Sequence, residues 1–517
     1  MKTHKLNAVQ IGVVVAVMTL LSKFIGFIRE MIIANYYGTG YITDAYVMAQ
    51  SIPGILFGGI LGAVATAHVP LYSKTVEKQG EEVGNRFTSS VMNILLIASA
   101  VSALIGLFFS NHLVSIFARG FRGETAELTS FYLKVTFIYV LFSSLIGIMD
   151  DYLQYKGKFI IPVFSGYFYN AGVIAVVIFS AYTSHYYLVF GILLGYILRL
   201  VVELFFAKRN GFRYYLNLNT NNAVKQIAKL SIPVFIGSTA GQVALFINKT
   251  LASGLPEGSV AALNYSSLLT GMISGITTGI LTTMTYPKLA QAASLEDYNR
   301  LNKLMGLGVT LSALIMIPCT LGSMVYSNQI VQIIYERGAF DNTSTQMTAI
   351  AFFYYAITLF FSAFNGLIVR CFYSMHNTRV PLYIGMALVP IDIVLNLLLI
   401  KPLGHGGLAL ATAVGTILNS GFLYIFLRRY YPKVTIVGSK KKVLKIIIAS
   451  IAAVGISWAI YTGMVYQMQV DVYTRILQFG VAVCVAGVIY YTVLKILKVE
   501  EIDLIKQMIV RRQKTNH

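Results

Sequence analysis

The side chains of this sequence that could do chemistry are charges set inside apolar sequence. Lys23, Arg29, Glu30 and Asp44 lie in one stretch that runs from Leu21 to Tyr46. Ionisable groups at membrane depth normally face a protein-lined or wet cavity and mark a substrate or ion path. Lys23, Glu30 and the region of Arg29 share a broad helical face, because a helix turns by about 100° per residue. The stretch predicts a cationic cavity that binds an anion. The alternative is that the two cations extend to the membrane interface.

A second group of polar residues lies in the other half of the sequence. Asp392 and Asn396 are four residues apart in the apolar run IDIVLNLLL, and Thr412 and Thr416 repeat that spacing. Oxygen ligands that converge from neighbouring helices suit a hard cation such as sodium. The alternative is an interhelical hydrogen-bonded cluster, which holds membrane helices together. Spacing alone favours that alternative slightly.

The composition indicates a polytopic membrane protein. Its 517 residues are 56% hydrophobic and only 12% charged, whereas soluble domains carry roughly a quarter charged residues. The net charge of +20 lies in short loops between apolar runs, a pattern typical of membrane orientation rather than of nucleic-acid binding. The three cysteines lie in apolar segments and predict neither disulfides nor a metal site. Without a Walker loop, a metal-ligand cluster or a nucleophile beside a base, the sequence gives little support to an enzyme.

The apolar runs predict fourteen transmembrane helices, each long enough to span a bilayer. Lys and Arg are concentrated in the loops after even-numbered spans, so the positive-inside rule places both termini in the cytoplasm. The predicted centres lie near residues 22, 57, 99, 140, 171, 196, 239, 273, 315, 360, 390, 417, 453 and 485.

An internal repeat organises these spans. At an offset near 218 residues, Ala34 corresponds to Ala252 and Pro70 to Pro287. Six spans separate the copies, and six is even, so both copies enter the membrane from the same side as a parallel repeat. The predicted fold is an all-α membrane protein with two six-helix lobes and two extra C-terminal helices, the plan of an alternating-access transporter. The predicted domains are 1–206 (first lobe), 207–229 (basic cytoplasmic linker), 230–431 (second lobe) and 432–517 (helices 13 and 14 with a cytoplasmic tail).

The repeat also places a polar pair in the second lobe. Asn248 and Lys249 correspond to Glu30 and Met31, so both lobes carry polar side chains at the same depth. Lys249 is predicted to contribute to the anion site. The alternative is an ion pair with Asp44 or Glu30 that only ties the lobes together.

Charges at the end of the fourth and sixth spans are interpreted as structural. Arg199 and Glu203 form an i,i+4 pair, a spacing that brings side chains together on one helix face. Asp150 and Asp151 precede Lys156 and are predicted to form a solvated helix end.

Five motifs resemble those of a known family. In chain order, between about residues 20 and 420, they are LSKFIGFIREMIIANYYGTGYITDAY, NKTLASGLPEGSVAALNY, YERGAFDNTST, FYSMHNTRVP and GHGGLALATAVG. Together they resemble the MurJ (MviN) family of bacterial lipid II flippases, within the multidrug/oligosaccharidyl-lipid/polysaccharide exporter superfamily. The resemblance implies fourteen helices in two lobes, an anion-binding central cavity, and a groove beside helices 13 and 14 for a polyprenyl tail.

The resemblance assigns roles to individual residues. Arg29, Glu30 and Asp44 match charged positions of the family's first lobe, and Lys23 stands where the family typically has arginine. Together with Lys249, these are the predicted substrate-binding residues. The family's sodium site resembles a set formed by Asn248, Asp392, Asn396 and Thr412.

Two positions depart from the family pattern. Phe57 and Leu268 stand where well-known members carry arginine. Lys249 is predicted to replace the missing cation of the second lobe. Fewer cavity arginines leave room for a related polyprenyl-linked glycan as the substrate.

The main functional hypothesis is a flippase of the bacterial cytoplasmic membrane. It would move lipid II from the cytoplasmic to the outer leaflet with no cofactor. The membrane potential would favour this outward movement, and the return of sodium or protons would reset the carrier. Its predicted partners are lipid II or a related glycolipid and membrane lipids, and a monomer associated with the cell-wall synthesis machinery is expected. The rivals are a flippase for an exopolysaccharide or teichuronic unit, a cation-coupled drug exporter, which a cationic cavity disfavours, and a non-transporting scaffold.

Overall fold

A computed structural model describes residues 8–216, 222–280, 285–467, 472–499 and 501. These ranges contain sixteen α-helices and one 3-10 helix, His185–Tyr187, and no strand. The α-helices are α1 (Ala8–Tyr37), α2 (Tyr41–Gln79), α3 (Glu81–Phe117), α4 (Gly123–Tyr155), α5 (Ile160–Tyr182), α6 (Phe190–Arg209), α7 (Asn222–Ser253), α8 (Ser259–Ile280), α9 (Tyr286–Ser294), α10 (Tyr298–Val325), α11 (Ser327–Tyr335), α12 (Asn342–Ala356), α13 (Thr358–Ser374), α14 (Arg379–Tyr430), α15 (Ser439–Gln467) and α16 (Val472–Ile496). The predicted all-α class is confirmed.

Eleven helical segments in the described part of the chain are long and apolar enough to cross a membrane. A bilayer leaves no water to pair with backbone groups, so a spanning segment must satisfy them internally as a helix does. Each of the fourteen predicted span centres lies inside one of the helices. The total of fourteen spans stays a prediction.

Helix α14 explains part of the difference between the two numbers. It extends over 52 residues and counts as one segment. At Gly404 the backbone takes φ 56° and ψ −133°, which is not helical, and the nearby Pro402 cannot donate an intrahelical hydrogen bond. The break separates the predicted span centres at 390 and 417. The sequence pattern therefore predicts two spans in a segment that the structure assigns to the single helix α14.

The described residues pack into two compact units. The first comprises the described parts of Met1–Ala261 together with Arg337–Asp341, and the second comprises those of Ala262–Glu336 and Asn342–His517. In the first unit α7 packs against α2 and α3. This division reflects packing, whereas the predicted lobes follow the internal repeat, so the lobe boundaries stay a prediction.

One structural detail recurs at equivalent positions of the repeat. In the first unit, the side-chain amide of Asn85 on α3 donates to the carbonyl of Gly211, 2.9 Å away. In the second unit, Asn302 on α10 donates to the carbonyl of Lys433 at 2.9 Å and accepts from the amide of Thr435 at 2.7 Å. Each asparagine thereby holds the non-helical segment that follows α6 or α14, as the predicted repeat would have it.

Candidate functional site

Arg29 is the best-anchored cation of the predicted anion site. Its Nη2 lies 2.5 Å from Glu30 Oε1 and its Nη1 donates to Asn170 Oδ1 on α5 at 3.1 Å. The guanidinium also lies over the ring of Tyr169, 5.4 Å from the centroid, where the ring quadrupole attracts a cation. The side chain is only 16% exposed. A guanidinium held from three sides is preorganised to present its remaining donors to an anion.

The fit of α1 against α5 sets the position of Asn170. Its side-chain nitrogen donates to the carbonyl of Gly166 at 3.0 Å, which turns the amide oxygen toward Arg29. A Cβ on Gly26 would lie 3.6 Å from that oxygen. That distance is an ordinary van der Waals contact, so α1 passes close to the amide without blocking it.

Lys23 is placed differently from Arg29. It is exposed on α1 and forms no hydrogen bond or ion pair with any described residue. An ammonium group on a flexible stem is a mobile point charge. Lys23 can therefore reach for a phosphate without first breaking a protein contact.

Asp44 and Lys249 lie near each other in the first unit. Asp44 is buried, and its two carboxylate oxygens accept hydrogen bonds from the backbone amides of Gly258 and Ala261, each at 2.7 Å. An anionic oxygen on free amides at a helix start satisfies them and interacts favourably with the helix dipole. Lys249 is half-buried, and the negative charge of Asp44 attracts its ammonium group. The predicted substrate role of both residues stays a prediction.

A reciprocal contact lies one turn away. Glu257 Oε1 accepts a hydrogen bond from the backbone amide of Tyr41 at 2.8 Å. Asp44 therefore caps the start of α8, while Glu257 caps the start of α2. The two acids hold the adjoining helix starts together through backbone amides.

The predicted sodium ligands of the second unit lie on α14. Asp392 Oδ1 is buried and has no hydrogen-bond donor. A Cβ on Gly415 would lie 2.1 Å from that oxygen, so the carboxylate rests directly on the glycine. On the neighbouring turn Asn419 Oδ1 is also buried without a donor. Buried oxygens that lack donors suit a hard cation.

Asn396 and Thr412 are two more of the predicted sodium ligands. Asn396 is buried on α14, one turn from Asp392. Thr412 donates to the carbonyl of Leu408 at 3.0 Å and contacts the hydroxyl of Tyr355, so its oxygen keeps acceptor capacity. The fourth predicted ligand, Asn248, lies on α7 in the first unit. The assembly of the full set stays a prediction.

The prediction of a solvated end for α4 is wrong. Asp150 Oδ2 lies 2.7 Å from Arg199 Nη2 on α6, and Asp151 Oδ2 lies 3.5 Å from His68 Nδ1 on α2. The predicted pair of Arg199 with Glu203 is present at 2.9 Å. Because α4 packs against both α2 and α6, its acidic end meets a guanidinium and an imidazole that its own sequence does not show.

The departures from the family pattern have a packing role at one position. The ring of Phe57 meets Phe137 edge-on, with 6.1 Å between centroids. Such aromatic pairs stabilise beyond the area that they bury. At position 57, where the resemblance predicts an arginine in the family, the side chain of this protein packs against another aromatic ring.

Sequence reasoning missed the partners that hold these side chains. Asn170 lies 141 residues from Arg29, and Gly415 is 23 residues from Asp392 across the break in α14. An asparagine within an apolar run was the available signal for the first. No local pattern indicates the second, because the glycine acts only through the side chain that it lacks.

The chain matches known proteins over most of its length. A model of the family described as "Lipid II flippase MurJ" matches residues 33–477. The "Lipid II flippase MurJ" of Burkholderia cenocepacia is 26% identical over 422 residues, covering 80% of this chain and 82% of the relative. The "Probable lipid II flippase MurJ" of Treponema pallidum is 25% identical over 509 residues, covering 94% of each.

Solved structures show the same fold. "Lipid II flippase MurJ, inward closed conformation" superimposes with a TM-score of 0.79 at 23% identity, covering 95% of this chain and all of that one. An inward-facing multidrug resistance transporter of the MATE family gives 0.65 at 13% identity, covering 79% and 94%. The family match spans most of the sequence. This chain therefore belongs to the MurJ family of lipid II flippases, which are multi-pass membrane transporters.

Proposed function

We propose that this chain moves lipid II from the cytoplasmic to the outer leaflet of the bacterial membrane. Membership of the flippase family supports the reaction. The observation that carries the mechanism is the guanidinium of Arg29, held between Glu30 and Asn170 with little exposed surface. Desolvated cations attract phosphate far more strongly than cations in water.

The pyrophosphate of the substrate is the group that Arg29 recognises. Arg29 supplies directional hydrogen bonds, while unpaired Lys23 and half-buried Lys249 add charge. In the structure Glu30 Oε1 is paired with the guanidinium of Arg29. An incoming phosphate oxygen competes with this carboxylate for the guanidinium. The ion pair with Glu30 then closes again when the substrate leaves, so the cation is compensated in both states.

The membrane potential favours transport in this direction. Outward movement of an anion across an inside-negative membrane gains about 2.3 kcal/mol per charge per 100 mV. This direction follows from the proposed orientation with both termini in the cytoplasm, as the basic loops require. The polyprenyl tail stays in the bilayer while only the polar head crosses.

Sodium is the proposed coupling ion of the second unit. Asp392, Asn396 and Thr412 would hold it. The orphaned oxygen of Asp392 against Gly415 supports a fit for a hard cation. A bound sodium ion would supply positive charge that compensates the buried carboxylate.

The carrier is proposed to act as a monomer beside the cell-wall synthesis machinery.

Depletion of the protein in its own host tests the substrate. We expect loss of lipid II from the outer leaflet and its accumulation on the cytoplasmic side, measured with an impermeant probe of outer lipid II. Wild type and Arg86→Ala, an exposed arginine paired with Glu82 on α3, should restore exposure, and Arg29→Ala should not.

The same experiment separates the rival substrates. Normal lipid II exposure with loss of another surface glycan would contradict the proposal in favour of a different polyprenyl-linked saccharide. This second candidate is favoured by the phenylalanine at position 57, where the resemblance predicts an arginine and where the ring packs against Phe137. Full restoration by Arg29→Ala would remove the proposed anion site.

A further inference from the structure

A buried group of charges lies outside the predicted substrate and sodium sites. At the meeting of α4, α5 and α6, Arg199 pairs with Asp150 at 2.7 Å and with Glu203 at 2.9 Å. Ser165 on α5 donates to Glu203 Oε1 at 2.6 Å. The Glu203 side chain has no exposed surface. One guanidinium thus faces two carboxyl groups in a desolvated position.

Each of the two acids keeps an oxygen without a hydrogen-bond donor. These atoms are Asp150 Oδ1 and Glu203 Oε2, and both are buried. The two carboxyl groups are both paired with the same guanidinium and lie close enough to interact with each other. A buried acceptor without a donor costs free energy, and two ionised carboxylates in contact repel one another. A single proton between them removes both penalties.

The surrounding elements supply no second fixed cation. Asp151 on α4 pairs with His68 of α2, whose Nε2 lies 3.2 Å from Thr88 Oγ1 of α3. The remaining titratable groups that face Arg199 are the phenols of Tyr169 on α5 and Tyr196 on α6. Among the described residues, the titratable groups at this position are therefore three carboxyls, one guanidinium, one imidazole and two phenols.

We propose that Asp150 and Glu203 form a proton-binding site that holds one proton between them beside Arg199. The proton leaves a carboxyl oxygen to water and leaves a carboxylate behind. A proton fits better than a metal, because the described residues contain no group of three or more His, Cys, Asp or Glu side chains placed to hold a metal ion.

The geometry also provides an exchange route. Asp150 is 22% exposed and Arg199 24%, whereas Glu203 is enclosed. Protons therefore enter and leave through Asp150, and Glu203 is the inner member of the pair. Coupled acids of this kind titrate as a pair rather than as two independent groups. The link from this site to a proton-dependent transport cycle rests on the proposed function.

Infrared spectroscopy of the purified full-length protein tests the site without substrate. We expect a C=O stretching band of a protonated carboxyl group near neutral pH, which disappears as the pH is raised. Glu203→Gln should remove this band. Glu82→Gln, at an acid that is 65% exposed, should leave it in place. Asp150→Asn provides a second variant if Glu203→Gln fails to fold, and it should also remove the titrating band.

Two infrared results would contradict the proposed proton-binding site. A spectrum without a titrating carboxyl band at any pH that preserves helicity would overturn the proposal, and so would a band that survives in both variants.

Lipid II flipping in proteoliposomes then tests the coupling. Wild type should show a pH-dependent rate, and Glu203→Gln a rate that no longer varies with pH. An unchanged pH profile in an active Glu203→Gln protein would overturn the coupling alone. Absence of flipping by wild type would contradict the proposed function and leave the infrared result standing.

Discussion

Asp44 Oδ2 accepts a hydrogen bond from the backbone amide of Gly258 at 2.7 Å. The other carboxylate oxygen accepts from Ala261 at the same distance, so both oxygens of this buried acid serve the start of α8. Sequence alone placed Asp44 in a substrate cavity. That role stays a prediction, and its observed contacts also give it a measurable part in holding the helix starts of the first unit together.

Replacement of Asp44 by asparagine should lower stability. The amide keeps one acceptor oxygen but presents a donor to the second backbone amide, so one charge-assisted hydrogen bond is lost. Such bonds contribute about 1.5–3 kcal/mol, and we expect a fall of that order in the free energy of unfolding, measured by thermal denaturation in detergent. Glu124→Gln, an exposed acid in the first turn of α4, should have little effect. Equal stability of Asp44→Asn and wild type would show that the cap is energetically unimportant.

Glu30 is predicted to compete with the substrate for Arg29. Glu30→Gln removes the carboxylate that lies 2.5 Å from Nη2, so the guanidinium is left without its compensating charge. We expect tighter binding of a pyrophosphate-containing lipid and slower turnover, because release no longer re-forms the ion pair. Equilibrium binding and flipping rates in proteoliposomes measure the two effects. Weaker binding by Glu30→Gln would instead assign Glu30 a direct contact with the substrate.

Gly415 tests the proposed sodium site. A Cβ at this position would lie 2.1 Å from Asp392 Oδ1, so Gly415→Ala must displace the carboxylate. A ligand that binds only the folded protein raises its melting temperature, and sodium should do so for wild type but not for Gly415→Ala. Gly421→Ala is the matched control on the same helix, where an added Cβ meets nothing within 4 Å. Equal sodium-dependent stabilisation of both variants would contradict a site at Asp392.

Gly338 tests the close contact between the segment 337–341 and the end of α1. Its φ is +57°, and an added Cβ would lie 2.3 Å from the carbonyl oxygen of Asn35. Gly123 has a similar φ of +51° but open space around it. Gly123→Ala should therefore report only the conformational cost, about 1–2 kcal/mol, and Gly338→Ala should lower the melting temperature further. Equal effects of the two substitutions would mean that the contact between Gly338 and Asn35 accommodates the added methyl group without a loss of stability.

The all-helical fold and the group of charges around Arg29 were predictable because they depend on local sequence. Apolar length is imposed by the bilayer, and the charges around Arg29 stand out against it. The contacts of Asn170, Gly258 and Gly415 depend on which helices pack together, and no neighbouring residue encodes that. Asp150 shows the limit most clearly, since its sequence neighbours indicate a solvated helix end while α6 supplies Arg199.

Flipping of lipid II by the purified protein tests the central claim most directly. Proteoliposomes containing fluorescent lipid II would be assayed for the fraction that becomes accessible to an impermeant quencher or enzyme. We expect flipping by wild type and by Arg86→Ala. We expect no flipping by Arg29→Ala, although this variant should still fold. Flipping by Arg29→Ala at the wild-type rate would contradict the proposed site, and a wild-type protein that leaves lipid II in its original leaflet would contradict the proposed function itself.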